Sequence, residues 1–319
     1  MGRILILGGG GMIGQKLAGR LRRDTPDVDL TLFDMTFPPN GVTEVKQETG
    51  DVTTPGVMEG LAKQRFSTIY HLASVVSGDA EMNFTKGYTI NVHPMITFLE
   101  ALRLENEASE GAYRPRMIFT SSIAVFGGPY PDIIPDDFTT SPQTSYGAQK
   151  LICEALVQDY SRKGFIDGMS LRMPTICVRP GKPNLAASSF FSGIIREPLN
   201  GQEAILPVTD TTRHWFASPR AAAGFLVHAA VLDTETLKGH RSLNLPGVSC
   251  TVAEQIAALG EVAGQDKVDL IKPQPDAAIA KIVASWPTAF TASRASALGF
   301  QAETSFHQII ETYIAEDLP

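Results

Sequence analysis

Hydrophobic and polar positions follow two alternating patterns in the first half of the chain. Short apolar runs predict β-strands that are buried on both faces, and longer segments with apolar residues every three or four positions predict helices. The predicted strands are residues 3–8, 28–34, 67–74, 115–122 and 168–173, and the predicted helices are 12–24, 56–65, 80–108 and 141–164. This alternation predicts βαβ units, and therefore an α/β fold with a doubly wound parallel sheet, a Rossmann fold.

The pattern becomes less regular after residue 174. Residues 174–189 are rich in Pro and Ser and predict a loop, whereas Ser218 and Pro219 form a good start for a helix. We therefore expect two regions. They are an NAD-binding Rossmann domain at 1–173, to which 219–245 return, and a smaller C-terminal substrate-binding region at 174–218 and 246–319.

Composition excludes several classes of function. The net charge is −7 and Lys and Arg form no stripe, so we expect no nucleic-acid partner. Cys153, Cys177 and Cys250 are far apart in the sequence and no HExxH motif is present, which argues against a disulfide framework and a metal site. No apolar stretch reaches transmembrane length and no signal-peptide pattern opens the chain, so we expect a cytoplasmic protein that binds no membrane.

A glycine-rich turn joins the first predicted strand to the first helix. Gly8, Gly11 and Gly14 have the spacing that lets backbone approach a pyrophosphate at a helix N-terminus. The second strand ends at Asp34, where a carboxylate can accept hydrogen bonds from the adenosine ribose and repel a 2′-phosphate. The sequence therefore predicts a dinucleotide site that favours NAD over NADP.

Tyr146 and Lys150 lie four residues apart on a helix predicted to begin near Ser141 and Pro142, so their side chains share one helix face. A neighbouring ammonium is expected to lower the pKa of a phenol, which could then take a proton from a substrate hydroxyl. The strand that ends at Ser122 brings a hydroxyl to the same sheet edge.

Together these motifs resemble the extended short-chain dehydrogenase/reductases, the NAD-dependent epimerase/dehydratase family. The resemblance is carried by GGGGMIG at 8–14, GDV at 50–52, HLAS at 71–74, TSSIAVFG at 120–127 and the Tyr146–Lys150 pair. It implies that Ser122, Tyr146 and Lys150 are catalytic. It also implies NAD contacts from Gly8, Gly11, Met12, Ile13, Gly14, Asp34, Asp51, Val52, Leu72, Ala73, Ser74, Asn91, Tyr146, Lys150, Pro174 and Ile176.

Two departures from the family pattern concern the substrate. LRMPT has Thr175 where nucleotide-sugar epimerases usually have Asn, and RHW at 213–215 replaces RDF. A narrower resemblance to small-acid dehydrogenases of this superfamily implies oxidation of a small 2-hydroxy sugar acid. The substrate contacts that we expect are Ser74, Ser77, Ser122, Thr175, Asn184 and Arg213. We favour Asn184 and Arg213 as carboxylate donors over Arg179, Lys182, Ser188 and Ser189.

Alternatives remain at this level. A nucleotide-sugar epimerase or dehydratase with tightly bound NAD and an L-threonine dehydrogenase-like enzyme share these motifs, and a dinucleotide sensor without catalysis would keep the glycine loop. His71 fits a packed core position better than a catalytic one, whereas His214 adjoins Arg213 and is left open. The family resemblance also implies a homodimer formed through the helix that carries Tyr146 and the long helical segment before it.

Overall fold

The computed structural model describes residues 2–181 and 188–318, and within them short strands alternate with helices along the first half of the chain. The strands are β1 Ile4–Leu7, β2 Leu30–Asp34, β3 Lys46–Thr49, β4 Thr68–His71, β5 Arg116–Ser122, β6 Asp167–Met173, β7 Thr175–Ile176, β8 Ala204–Leu206, β9 Arg213–Ala217, β10 Ser242–Asn244, β11 Val248–Thr251 and β12 Ile271–Pro273. The helices are α1 Met12–Asp24, α2 Val57–Lys63, α3 Ser77–Met82, α4 Phe84–Asn91, α5 His93–Ala108, α6 Ser145–Arg162, α7 Ser189–Leu199, α8 Pro219–Val231, α9 Val252–Ala263, α10 Gln265–Val268, α11 Ala277–Ala284, α12 Ser293–Ala297 and α13 Phe306–Glu316.

A parallel sheet forms the centre of the molecule. Its strands lie in the order β3-β2-β1-β4-β5-β6-β10, and every neighbouring pair is parallel. Residues of β1 are buried on both faces, because one core cluster contains Ile4 and Ile6 and another contains Leu5 and Leu7. The predicted α/β fold with a doubly wound parallel sheet is therefore confirmed. The order reverses beside β1, where such sheets open a crevice for ligands.

The C-terminal half contributes to two structures. Helix α8 packs against α1, and β10 extends the central sheet beside β6. Strands β7, β9 and β11 form a second sheet, and β8 pairs with β12. A separate apolar cluster joins α7, α9 and α13, so this region has its own core.

Three local predictions were wrong, each for a physical reason. The edge strand β3 was missed because KQET has no apolar residue. The predicted helix at 80–108 is divided between α3, α4 and α5, with Asn83 capping α4 and Pro94 near the start of α5. Helix α6 begins at Ser145 rather than near Ser141, because the Thr144 hydroxyl accepts the Gly147 N–H at 3.1 Å.

Residues 2–181 and 188–318 contain neither a membrane-spanning helix nor a cluster of metal-binding side chains. None of the helices there is both long and apolar enough to cross a membrane. Those residues also form no group of three or more His, Cys, Asp or Glu side chains that could hold a metal ion.

Candidate active site

A crevice opens at the carboxyl ends of β1, β4 and β5. It contains a cavity of about 420 Å³ and an adjoining one of about 240 Å³. The predicted site residues that line them are Gly8, Gly11, Met12, Ile13, Gly14, Leu72, Ser74, Ser77, Ser122, Tyr146, Lys150, Pro174, Thr175 and Ile176. Residues far apart in sequence thus meet at the sheet edge where doubly wound folds bind ligands.

The glycine loop places the start of α1 at this crevice. Gly11 is the N-cap of α1 and offers no side-chain cap, and the first turn of the helix has no acidic residue. A Cβ on Gly14 would lie 2.3 Å from the Gly8 carbonyl oxygen, so the loop can fold back on the helix only with glycine there. The N–H groups of the first turn are therefore available to an anion, and the loop fits a dinucleotide pyrophosphate.

Asp34 lies at the end of β2 beside this loop. Its carboxylate accepts the Gly10 N–H at 2.9 Å and the Met35 N–H at 2.7 Å. Asp34 thus fixes the loop and adds a negative charge at the position expected for the adenosine ribose.

Ala73, Asp51 and Val52, which were also predicted to contact the cofactor, are not among the residues that line these two cavities. The Ala73 N–H donates to the Leu7 carbonyl at 3.0 Å, and Asp51 Oδ1 accepts the Thr53 N–H at 2.8 Å. Val52 packs against the core beneath the sheet.

Asn91 is buried and supports the segment after β4. Its Oδ1 accepts the Val75 N–H at 2.9 Å, and its Nδ2 donates to Gln149 Oε1 at 2.7 Å. These bonds tie the segment after β4 to α6, so in this structure Asn91 positions that segment beside the crevice.

Close packing between α6 and the end of β5 brings Tyr146 to Ser122. A Cβ on Gly147 would lie 2.1 Å from the Ala124 carbonyl oxygen, so glycine permits this approach. The Ser122 hydroxyl accepts the Ala124 N–H at 3.1 Å, which fixes its side chain at the strand end. Tyr146 is in the first turn of α6, and both side chains line the same cavity.

Lys150 is one helical turn further on and is 3% exposed. Its Nζ donates to the Thr120 carbonyl at 2.9 Å and lies 5.4 Å from the centre of the Tyr146 ring. Burial disfavours the charged form, and it lowers the pKa of Lys150 from 10.5 to about 8.

The electrostatics of Tyr146 differ from the expectation. Burial raises the pKa of its phenol from 10.0 to about 12, although hydrogen bonds with Ser74 and Ser122 and the charge of Arg179 oppose the rise. In the chain by itself the pKa of Tyr146 therefore lies above its ordinary value, and Lys150 is not among the groups that lower it. Desolvation of the phenolate outweighs the favourable charges, so activation needs a further positive charge.

The two buried histidines are neutral. Burial lowers the pKa of His71 and of His214 from 6.5 to about 3. His214 Nε2 and the Thr175 hydroxyl are hydrogen-bonded at 2.6 Å, and the His214 ring stacks on Phe191 with 5.4 Å between ring centres. His214 thus orients Thr175 on the cavity wall.

Of the two favoured carboxylate donors, Arg213 is not among the residues that line the cavity. The Arg213 guanidinium lies 3.3 Å from the Glu254 carboxylate and donates to the Ser249 carbonyl at 3.2 Å. Side chains alternate along a strand, so His214 faces the cavity and Arg213 faces away. Asn184 lies outside the described residues. Arg179, which the sequence ranked lower, lines the cavity instead.

Several wall residues had no signal in the sequence. Tyr130, Gln143 and Trp286 line the cavity from loops that are distant in the chain. The Tyr130 hydroxyl donates to the Ser285 carbonyl at 3.2 Å, which joins two of these loops.

A doubly wound sheet with this glycine loop and a Ser-Tyr-Lys set at its carboxyl edge defines a nicotinamide-dinucleotide-dependent enzyme. The chain belongs to the NAD dependent epimerase/dehydratase family, whose profile matches residues 4–231. The resemblance inferred from the sequence is thereby confirmed, and the protein is an NAD-dependent oxidoreductase.

Named relatives span nearly the whole chain. It is 45% identical over 324 residues to D-erythronate dehydrogenase from Cupriavidus necator, covering 98% of both chains. It is 40% identical over 320 residues to D-erythronate dehydrogenase from Haemophilus influenzae, covering 99% of this chain and 100% of the relative.

Solved structures agree with the fold. A nucleoside-diphosphate-sugar epimerase from Agrobacterium tumefaciens has a TM-score of 0.94 and 49% identity, with 99% of this chain and 94% of that chain covered. L-Threonine dehydrogenase from Clostridium difficile has a TM-score of 0.86 and 22% identity, with 100% of this chain and 99% of that chain covered. At this identity the similarity shows only that the fold is shared.

The lowered pKa of Lys150 predicts a pH-dependent stability. Between pH 8 and 10.5 the unfolded chain still holds the lysine proton that the folded chain has lost, so raising the pH favours folding. Relative to Lys150→Met, the wild-type free energy of unfolding should rise across this window by on the order of 3 kcal/mol.

Urea unfolding at several pH values measures this difference. Lys63→Met, at an exposed position near the end of α2, is the matched control and should show no such rise. Lys150→Met also loses the hydrogen bond to Thr120, which changes the free energy of unfolding equally at every pH. The test is therefore how the difference between wild type and Lys150→Met changes with pH. A flat difference for Lys150→Met would contradict the burial of a titrating ammonium.

Proposed function

We propose that this chain oxidises the C2 hydroxyl of a small sugar acid with NAD, and that D-erythronate is converted to 2-keto-D-erythronate. The observation that carries the proposal is the convergence of Ser122, Tyr146 and Lys150 with the glycine loop in one crevice. The two named relatives, at 45% and 40% identity over almost the full chain, support the choice of substrate.

In this proposal the dinucleotide binds across the sheet edge. The first turn of α1 binds the pyrophosphate, and Asp34 binds the adenosine ribose. Residues 1–173 with 219–245 form the NAD-binding domain, and the remaining segments complete the substrate region. When bound there, NAD would supply the hydride acceptor for the oxidation.

Tyr146 Oη is the proposed base. It removes the proton of the C2 hydroxyl, while the Ser122 hydroxyl holds the same substrate oxygen. Lys150 supplies positive charge beside the phenol and is anchored by the Thr120 carbonyl. Positive charge from a bound nicotinamide would lower the pKa of about 12, because positive charge stabilises the phenolate.

The remaining substrate contacts come from short polar side chains. Ser74, Ser77 and Thr175 line the cavities beside Ser122 and are suited to the hydroxyls of a four-carbon chain. The hydrogen bond between Thr175 and His214 fixes Thr175 for this role.

A homodimer is the proposed assembly. Large apolar side chains are exposed on neighbouring helices, with Phe84 on α4 at 61%, Ile96 on α5 at 45% and Ile152 on α6 at 36%. Burial of such a surface between two copies is favourable.

One observation favours a second candidate function. The solved structure at 49% identity carries the name nucleoside-diphosphate-sugar epimerase. An epimerase returns the hydride to its substrate and yields no net NADH, whereas a dehydrogenase releases NADH.

NADH absorbance separates these functions. With NAD supplied, the proposal predicts net NADH formation from D-erythronate, and little or none from L-threonine or UDP-glucose. Copurified NAD with UDP-sugar epimerisation and no NADH from the sugar acid would overturn it.

Tyr146→Phe tests the base directly. Loss of the phenolic oxygen should lower kcat by about 10²- to 10⁴-fold with D-erythronate, and NAD affinity should stay within about threefold. Tyr160→Phe is the matched control, because it removes a hydroxyl from the same helix, where Tyr160 contacts Glu100 at 3.3 Å. Full activity of Tyr146→Phe would remove Tyr146 from this role.

A further inference from the structure

Arg179 brings a guanidinium to the cavity that holds the proposed base. It lines this cavity together with Ser122, Tyr146 and Thr175. Its Nε donates to the Ile176 carbonyl at 3.0 Å, and one terminal nitrogen donates to the Ser188 hydroxyl at 2.7 Å. Arg196 donates to the Arg179 carbonyl at 2.8 Å, so both the backbone and the side chain are held in place.

Among residues 2–181 and 188–318, no carboxylate oxygen lies within 4.0 Å of the Arg179 guanidinium nitrogens. Residues 182–187 contain neither Asp nor Glu. Burial and the positive charge of Arg196 both lower the pKa of Arg179. A partly desolvated cation that lacks an anion is unfavourable, and an anionic ligand would supply the missing charge.

Three arginines whose side chains are at most 11% exposed are each paired with a carboxylate. Arg172 lies 2.7 Å from Glu154, Arg196 lies 2.5 Å from Glu197, and Arg241 lies 2.8 Å from Asp167. Arg179 differs from these three arginines, and it lines the cavity where a substrate would bind.

Arg179 is also within electrostatic reach of the proposed base, because its charge opposes the rise in the pKa of Tyr146. A 2-hydroxy acid carries its carboxylate on the carbon next to the hydroxyl-bearing one. One such molecule can present its carboxylate to Arg179 while its hydroxyl meets Tyr146 and Ser122.

We propose that Arg179 binds the substrate carboxylate and sets the selectivity of the enzyme for 2-hydroxy acids over neutral polyols. The inference rests on the proposed function and replaces Arg213 in the role that the sequence had favoured. A guanidinium suits it, because two parallel N–H groups match the two oxygens of a carboxylate.

Calorimetric binding tests this without turnover. D-Erythronate and its neutral amide are titrated into NAD-saturated Tyr146→Phe protein, alone and combined with Arg179→Gln. Arg179→Gln should weaken acid binding by about 10- to 150-fold, while amide and NAD affinities change by less than about threefold. Arg213→Gln is the matched control, because it removes an exposed guanidinium that pairs with Glu254, and it should change acid binding by less than about threefold.

Equal losses for acid and amide, or equal effects of the two arginine substitutions, would overturn the inference. If Arg179→Gln does not fold, Arg179→Lys is the variant to test, because it keeps the charge but loses the paired N–H donors. The inference predicts weaker binding of D-erythronate by Arg179→Lys, and an unchanged affinity would overturn the inference. NADH formation by the wild type tests the proposed function separately. Acid selectivity that depends on Arg179, without turnover, would uphold the inference and reject the function.

Discussion

A positive charge buried beside a buried phenol is the constraint on which the site depends. Lys150 reaches a position with 3% exposure, and Thr120 offers its carbonyl there. This placement requires α6 to contact the end of β5, which Gly147 permits and the Thr144 cap directs. The strands that end at this edge are anchored in the core, where Leu5, Leu7 and Phe119 are almost fully buried. The polar groups of the site are desolvated next to these strands.

Burial brings these groups together, but in the chain alone it also disfavours the phenolate form of Tyr146 that would act as the base. Desolvation raises the pKa of Tyr146 to about 12 and lowers that of Lys150 to about 8. A low-dielectric site also strengthens every charge interaction within it. Charges introduced with the reactants therefore act strongly on Tyr146. The arrangement links proton transfer to occupancy of the crevice, because the phenol becomes a useful base only when further positive charge is beside it.

Much of the architecture could be predicted because it follows from local apolar patterns. The strand at residues 4–7 is a continuous apolar run, the strands at 30–34 and 116–122 each contain three apolar residues, and the glycine loop follows directly from the first strand. Strand β3 could not be found this way, since an exposed edge strand needs no apolar residue. The division of the predicted 80–108 helix depends on a side-chain cap at Asn83, which a helical period does not reveal.

The chemistry of the site was only partly predictable for a different reason. Tyr146 and Lys150 are local neighbours on a helix, so their spacing was informative. The choice between Arg179 and Arg213 depends on which way each side chain faces after long-range packing. Arg213 pairs with Glu254, whereas Arg179 lines the cavity, and the linear sequence contains no sign of either. The pKa of Tyr146 likewise depends on burial produced by the whole fold.

The most direct test of the central claim is the pKa of Tyr146 before and after addition of NAD. Difference ultraviolet titration of wild type against Tyr146→Phe isolates the phenolate signal of this residue. The account predicts a pKa near 12 for the chain alone and a marked fall towards neutral pH when oxidised NAD is present. A pKa that does not move on saturation with NAD would contradict it.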